Sequence, residues 1–261
     1  MTEQDIQFAA KTLWQKWQQS LRIPNLPEHT RPADRAEGYA IQVQLANLSG
    51  QGILGWKIAA TSRAGQAHIA VDGPLAGRLL KERVLKNGAT VSLDGNLMRV
   101  AEAEFAFRFR RNLEKRERRY ELSEVLDAVE SLHPAIEVPD SRYEDYTVVG
   151  APQLIADNAC ACWFLLGEQA EANWREFDLI GHKVEGYRNR ERVSSGSGSN
   201  VLGDPRIALT WIANELIEFG EGLRAGQVVT TGTCLTPIPV EPGDQVRMDF
   251  GELGLIDARF A

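Results

Sequence analysis

Cysteine and histidine are scarce in this chain, and their scarcity excludes several kinds of site. The 261 residues include three cysteines and four histidines. Cys160 and Cys162 are too few for a zinc site and lack the C-x-x-C spacing of a redox pair. No two histidines stand at a ligand spacing; they are His29, His68, His133 and His182. Neither a disulfide framework nor a histidine-rich zinc or iron site is therefore predicted.

Long apolar runs and long basic runs are also missing. No stretch reaches the roughly 18–20 apolar residues of a membrane span, and the N-terminus is too polar for a signal peptide. The net charge is −7, and glutamates dilute the arginine-rich segment 108–119, so no nucleic-acid surface is predicted. The segment 194–200 lacks the third glycine of G-x-G-x-x-G and the lysine of a P-loop. We expect a cytoplasmic protein with no nucleic-acid or membrane partner.

The order of the predicted elements indicates the fold class. Apolar residues at helical spacing predict two helices within residues 1–50, the second over about 32–48 with Thr30 as its cap. Short strands with turn residues between them predominate from residue 75 onward, with further helices capped at Ser123 and Asp204. This order predicts an α+β protein built on a folded-over sheet, and it argues against a doubly wound nucleotide fold.

Two glutamates stand one residue apart in a segment that alternates between apolar and polar residues. Ala101, Ala103 and Phe105 share one parity, whereas Glu102 and Glu104 share the other. Period-two alternation predicts a β-strand, with both carboxylates on one side and roughly 6.5–7 Å apart. Two such groups can converge on Mg²⁺, which prefers oxygen ligands. The alternative is a solvated strand face on which the two charges merely repel each other.

A third glutamate and a lysine stand in short apolar segments. Glu137 lies in a segment that is bracketed by prolines and predicts a buried strand, where a carboxylate must be paired or bound to a cation. A salt bridge to Arg142 or another arginine is the alternative. Lys57 must be paired or have a lowered pKa if it is buried, and a lowered pKa would suit proton transfer. The alternative for Lys57 is a side chain that extends to solvent from a strand edge.

Two polar groups complete the candidate site. Asp157 and Asn158 lie among apolar residues and are interpreted either as a turn cap or as an anchor behind the site. The segment from Thr230 to Thr233 ends a valine-rich strand with hydroxyls and a glycine. Such an end can offer hydroxyl and backbone N–H groups to a carboxylate, although a plain turn has the same composition.

Taken in order, these segments resemble the fumarylacetoacetate hydrolase superfamily, in particular its branch of 2-keto-4-pentenoate hydratases and 4-oxalocrotonate decarboxylases. The similarity covers residues 50–260. The segments that carry it are Gly55–Ser62, Ala101–Glu104, Pro134–Tyr143, Ala156–Ala159, Val201–Pro205, Leu223–Gly226, Thr231–Thr233, Pro239–Asp244 and Leu253–Gly254.

The resemblance implies a single catalytic domain over 1–261, with an N-terminal helical region over 1–50 and a rolled mixed β-sheet over 51–261. It also implies a homo-oligomer. Glu102, Glu104 and Glu137 match the family's Mg²⁺ or Mn²⁺ ligands, and Lys57 matches a lysine that assists proton transfer. Asp157, Asn158 and Thr233 are candidate substrate-binding residues, as is Leu75, which stands where the hydratases would carry an aspartate.

The expected function is that of a divalent-metal-dependent lyase of aromatic compound catabolism. It would hydrate a small unsaturated 2-oxo or 2-hydroxy acid such as 2-hydroxypenta-2,4-dienoate through a dienolate, whose charge the metal stabilises. The alternative is a decarboxylase of the 4-oxalocrotonate type, toward which Leu75 leans. Further alternatives are an acylpyruvate C–C hydrolase and a non-catalytic scaffold subunit. Another enzyme of the same pathway is a candidate partner.

Overall fold

Two helices occupy the first fifty residues of the structure, a computed structural model that describes residues 1–261. Helix α1 (Glu3–Gln19) begins at a Thr2 cap and buries an apolar stripe, and α2 (Arg35–Ser49) packs against it. The cap of α2 is Asp34, whose side chain accepts a hydrogen bond from the Glu37 backbone N–H at 2.9 Å. The prediction of Thr30 as the cap was therefore wrong, because Thr30 lies in a separate short turn before an extended segment.

Thirteen strands and four further helices follow. The strands are β1 (Ile53–Ala59), β2 (Leu75–Leu80), β3 (Val84–Lys86), β4 (Thr90–Val91), β5 (Val100–Phe109), β6 (Val129–Val138), β7 (Trp163–Leu166), β8 (Lys183–Arg188), β9 (Glu191–Ser197), β10 (Val228–Thr233), β11 (Ile238–Pro239), β12 (Gln245–Asp249) and β13 (Leu255–Phe260). The helices are α3 (Arg63–His68), α4 (Leu122–Ala128), α5 (Ala151–Ala156) and α6 (Pro205–Glu218).

The strands form two mixed sheets. The larger has the order β2-β1-β10-β5-β6-β7-β3, with β11 paired to β5, and the smaller has the order β4-β13-β12-β8-β9. Three pairings are parallel, namely β1 with β10, β3 with β7 and β13 with β4, and the others are antiparallel. Mixed, mostly antiparallel sheets with two helices before them and isolated helices between the strands form an α+β architecture, as the sequence predicted.

The centre of the larger sheet is covered on both faces. Nearly every residue of β6 is buried, and β5 exposes no side chain fully. Apolar residues from α1, α2, α6 and both sheets join one continuous core of 61 buried residues. A charged group on β5 or β6 is therefore removed from bulk water, which is costly unless an ion or a donor compensates it.

The two later helices differ in how well the sequence located them. Helix α6 begins after Asp204, which caps it as predicted, with Pro205 in its first turn. Helix α4 begins after Glu121 rather than Ser123, and it ends at Ala128 because Val129 already belongs to β6.

None of the helices is long and apolar enough to cross a membrane.

Candidate active site

Three carboxylates converge where β5 and β6 pair. Glu102 stands directly opposite Glu137 in the antiparallel register, and Glu104 follows on the same side of β5. One carboxylate oxygen from each glutamate lies within 4.8 Å of those of the other two. Glu104 and Glu137 are 0% and 1% exposed. The register therefore brings together the three glutamates that the sequence proposed as metal ligands.

Backbone and hydroxyl donors hold Glu104 from one side. Its Oε2 accepts a hydrogen bond from the Gly232 N–H at 2.8 Å and another from the Thr230 hydroxyl. Gly232 has a φ of +95°, and a Cβ at this position would lie 2.1 Å from Thr61 Oγ1. Glycine is therefore required for the strand end to turn its N–H toward the carboxylate. The hydroxyl-rich end of β10 thus serves Glu104 directly.

Lys57 lies beside this cluster. Its Nζ is 3.0 Å from Glu137 Oε1 and donates a hydrogen bond to the Ala159 carbonyl oxygen at 3.0 Å. Burial acts to lower the pKa of Lys57, but Glu137 and then the other two glutamates outweigh it and raise this pKa above its usual value. Lys57 is therefore an ammonium group. The alternative of a Glu137–arginine salt bridge is wrong, because Lys57 occupies that position.

The cluster carries more negative charge than its surroundings balance. Burial, followed by the charge of Glu137, raises the pKa of Glu102 to about 7 and that of Glu104 well above its usual range. Oε1 of Glu104 and Oε2 of Glu137 are buried and accept no hydrogen bond, and Oε1 of Glu137 has only the Lys57 ammonium beside it. Unpartnered acceptors of this kind are expensive in a protein interior. Hard oxygen ligands with surplus negative charge fit Mg²⁺ or Mn²⁺.

A cavity of roughly 550 Å³ opens beside the cluster. Lys57, Glu102, Leu75 and Thr233 all line it. Leu75 is fully buried and presents an apolar side chain, and the Thr233 hydroxyl donates to the Leu235 carbonyl oxygen at 2.8 Å. Four of the candidate residues thus share one cavity, and Glu102 connects its wall to the carboxylate cluster. Such a concave site is typical of small-molecule binding.

Asp157 and Asn158, which the sequence proposed as substrate-binding residues, do not line this cavity. The Asp157 carboxylate accepts hydrogen bonds from the Ser141 hydroxyl, the Arg142 backbone N–H and the Arg142 guanidinium. The Asn158 amide pairs with the backbone N–H and carbonyl of Arg78 at 2.7 and 2.9 Å. Both side chains are fully buried, and the hydrogen bonds described here join them to other residues of the protein.

These bonds hold a strained turn behind Lys57. Asn158, Ala159 and Cys160 have φ values of 55°, 50° and 60°. Three consecutive non-glycine residues in the left-handed region cost roughly 1–2 kcal/mol each. The turn places the Ala159 carbonyl oxygen on the lysine ammonium. Asp157 and Asn158 therefore support the site from behind, which was the alternative that the sequence left open.

Sequence reasoning missed two residues of the cavity wall. His68 on α3 and Tyr146 both line the cavity, and His68 Nε2 lies 3.1 Å from the Tyr146 hydroxyl oxygen. Their rings stack edge to face with centroids 5.9 Å apart. They are 78 residues apart in the chain, and neither belongs to a periodic pattern. Only the position of α3 immediately after the Lys57 segment could have suggested His68.

Fold and site together define a class of protein: an α+β chain whose mixed sheet holds three converging carboxylates and a lysine beside one cavity. The fumarylacetoacetate (FAA) hydrolase C-terminal family matches residues 80–261. The chain belongs to this family, as its sequence motifs indicated. The family match covers the second sheet as well as β5, β6 and β10.

Two curated relatives extend the similarity across nearly the whole chain. A 2-keto-4-pentenoate hydratase 1 from Dechloromonas aromatica (strain RCB) is 32% identical over 92% of this chain and 90% of its own length. A 4-oxalocrotonate decarboxylase from Pseudomonas sp. (strain CF600) is 32% identical over 91% of this chain and 90% of its own length. The relatives therefore include enzymes of both reaction types that the sequence indicated.

A solved structure agrees with the fold over the full length. The 4-oxalocrotonate decarboxylase from Pseudomonas putida G7, complexed with magnesium and adipate, superposes with a TM-score of 0.89 at 28% identity. The match covers 100% of this chain and 99% of that one. The predicted α+β fold, with a rolled mixed sheet preceded by helices, is confirmed.

Proposed function

We propose that this protein is a divalent-metal-dependent lyase that hydrates a small unsaturated 2-oxo or 2-hydroxy acid such as 2-hydroxypenta-2,4-dienoate. One observation carries the proposal: the carboxylates of Glu102, Glu104 and Glu137 converge beside the Lys57 ammonium, next to a cavity that Glu102 and Lys57 line. The names of the relatives, which include 2-keto-4-pentenoate hydratases, support the same reaction class.

Glu102, Glu104 and Glu137 would hold Mg²⁺ or Mn²⁺. The relative from Pseudomonas putida G7 was solved with magnesium, which supports this choice of ion. The bound cation would supply Lewis-acid stabilisation of negative charge on the substrate's C2 oxygen. Glu104 needs little reorganisation to act as a ligand, because Thr230 and Gly232 already orient it.

The remaining side chains define how a substrate would be handled. Lys57 carries a proton and is fixed by Glu137 and Ala159, so it can donate to a substrate oxygen or carbon beside the carboxylates. Leu75 excludes water from one wall. Thr233 offers a hydroxyl oxygen to the cavity while its proton is directed at Leu235. These roles are proposals that follow from position and protonation state.

Decarboxylation of a 2-oxo diacid is the second candidate, and Leu75 favours it. Loss of CO₂ leaves the same dienolate that hydration requires, so one carboxylate cluster can serve both reactions. The apolar side chain of Leu75 provides no acid or base to assist the addition of water. It does provide an apolar surface beside which neutral CO₂ can leave. The similarity to 4-oxalocrotonate decarboxylases supports this candidate.

An ultraviolet assay with two substrates tests the proposal. Metal-free protein is supplied with Mg²⁺ and with either 2-hydroxypenta-2,4-dienoate or 2-oxohex-3-enedioate, and CO₂ release is followed in parallel. The proposed function predicts loss of the dienol absorbance without CO₂, and activity that disappears with a chelator and returns with Mg²⁺. CO₂ release from the diacid alone would establish the second candidate. No turnover of either acid would indicate an acylpyruvate hydrolase or a scaffold.

We also propose a domain organisation, an assembly state, a location and a partner for the whole chain. The continuous core supports the treatment of residues 1–261 as one catalytic domain, with residues 1–50 packed on the β core. The family resemblance supports assembly as a homo-oligomer, a place in the cytoplasm and association with another enzyme of the same pathway. Size measurement by light scattering would test the oligomer.

A further inference from the structure

The outer part of the cavity differs in character from its inner end. Glu104 and Glu137 are buried, whereas His68 is exposed and Tyr146 is half-buried. Glu102 is the one glutamate of the cluster that lines the cavity, so the buried cluster lies at the inner end of the cavity and the His68–Tyr146 pair lies at its exposed mouth. A substrate whose C1 and C2 oxygens approach the carboxylates would direct its distal carbon atoms toward the mouth.

Hydration of a dienol requires a proton donor for the distal carbon. Five ionisable side chains line the cavity: Lys57, His68, Glu102, Tyr146 and Cys160. Glu102 belongs to the carboxylate cluster and Lys57 is fixed beside it. The Cys160 thiol is buried in the strained turn that holds Lys57, away from the exposed mouth. Leu75 offers no proton. Elimination leaves His68 and Tyr146.

We propose that Tyr146 and His68 form the acid that protonates the distal carbon of the substrate. The inference rests on the proposed function and assigns a donor to it. The Tyr146 hydroxyl donates toward the substrate while its oxygen accepts from the Nε2–H of His68, across the observed 3.1 Å. Burial, and then the groups of Cys160 and Glu102, raise the pKa of Tyr146, so the hydroxyl keeps its proton at neutral pH.

The step starts from the dienolate, whose C2 hydroxyl proton has passed to water, and it then balances without any further reactant. The Tyr146 O–H bond breaks as a C5–H bond forms from the C4=C5 electron pair. The C2=C3 electron pair moves to form C3=C4. A lone pair on the negatively charged C2 oxygen forms the C2=O bond of a carbonyl group. Tyr146 then takes the Nε2 proton of His68 while the other ring nitrogen of exposed His68 takes a proton from water, so the imidazole stays neutral. The product, a 2-oxo-3-enoate, is ready for water to add at C4.

The two proposed reactions depend differently on this pair. Hydration needs the C5 proton, whereas loss of CO₂ from 2-oxohex-3-enedioate delivers its electron pair to the dienolate and needs no proton at C5. A general acid contributes about 10²–10⁴-fold to a rate. Removal of the Tyr146 hydroxyl should therefore slow hydration far more than decarboxylation.

Tyr146→Phe in the Mg²⁺-loaded enzyme tests the inference. We expect kcat for 2-hydroxypenta-2,4-dienoate to fall about 100-fold or more, with KM and any release of CO₂ from the diacid changed by less than about threefold. Tyr187→Phe is the matched control, because Tyr187 bonds Glu185 and does not line the cavity. His68→Ala should lose hydration too, and added imidazole should restore part of it.

The outcomes separate this inference from the proposed function. A wild-type enzyme that hydrates the dienol while Tyr146→Phe keeps kcat within threefold would overturn the inference and leave the function standing. Failure of imidazole to restore any activity to His68→Ala would remove His68 from the pair. Wild-type turnover of the diacid alone would overturn both the inference and the proposal of hydration, since no dienol would then be protonated at C5.

Discussion

Gly77 on β2 stands directly opposite Lys57 on β1, and the lysine stem crosses the space that a side chain at position 77 would need. A Cβ on Gly77 would lie 3.0 Å from Lys57 Cδ and 2.4 Å from the Asn158 carbonyl oxygen. The first contact is with a flexible side chain, but the second is with backbone in a strained turn. The missing side chain therefore determines the path of the lysine to the carboxylates.

Gly77→Ala should displace both the lysine and the turn. We expect the free energy of unfolding to fall by about 1–3 kcal/mol, as for other overpacked sites, and kcat to fall more than the affinity for Mg²⁺. Urea denaturation and steady-state assays measure the two effects. Gly73→Ala is the control, because a Cβ there has no neighbour within 4 Å. Equal urea midpoints for the two variants would contradict the crowding argument.

Glu102→Gln should change stability in opposite directions with and without metal. At pH 8 the metal-free variant should melt at or above the wild-type temperature, because a neutral amide removes repulsion from Glu137. Saturating Mg²⁺ should then raise the melting temperature of the wild type only, since an ion at 100 times its Kd contributes about 2.7 kcal/mol. Thermal melts of both proteins test this. Equal Mg²⁺ shifts would exclude Glu102 as a ligand.

Asp157→Asn should destabilise the fold without a direct effect on metal binding. Arg142 and Asp157 form a fully buried ion pair, so the variant leaves a guanidinium in the interior without its counter-charge. Removing one partner of such a pair costs about 3–5 kcal/mol. Urea denaturation gives the value. The exposed pair of Arg247 and Asp257 provides the control, and Asp257→Asn should cost no more than about 1 kcal/mol.

His133 should make the protein sensitive to mild acid. Burial, assisted by Arg108, lowers the pKa of His133, whose ring nitrogens contact Ser131 and Gly167. The unfolded chain therefore takes up this proton first, and stability is lost as the pH falls through about 6.5. The urea midpoint of the wild type should fall more between pH 7.5 and 5.5 than that of His133→Gln. Parallel profiles would show that His133 does not contribute.

The sequence predicted the parts of the site that depend on one segment at a time. Alternation along β5 placed Glu102 and Glu104 on one side, and the apolar run around Glu137 indicated a buried strand. Their convergence depends on the register of β5 with β6, which no local pattern encodes. The family motifs supplied the grouping that periodicity could not.

Apart from the helix caps at Thr30 and Ser123, the interpretations that the structure changes concern contacts between distant segments. An arginine was the alternative partner for Glu137, but Arg142 pairs with Asp157, and Lys57 on β1 pairs with Glu137. The sequence around Asp157 and Asn158 would be the same whether these residues contacted substrate or supported a turn. The turn is left-handed at three residues, but it contains no glycine that would have revealed it. Their roles became visible only with the hydrogen bonds of Arg78 and Arg142.

The position of β10 has a consequence for how the protein matures. This strand comes near the end of the chain, yet it inserts between β1 and β5 and supplies the donors for Glu104. A ribosome must therefore complete residue 233 before the pocket can exist, and until then β1 and β5 present open edges. Strand pairing over such separations is slow, so a newly made chain passes through a stage in which Glu104 lacks its donors and exposed strand edges favour aggregation.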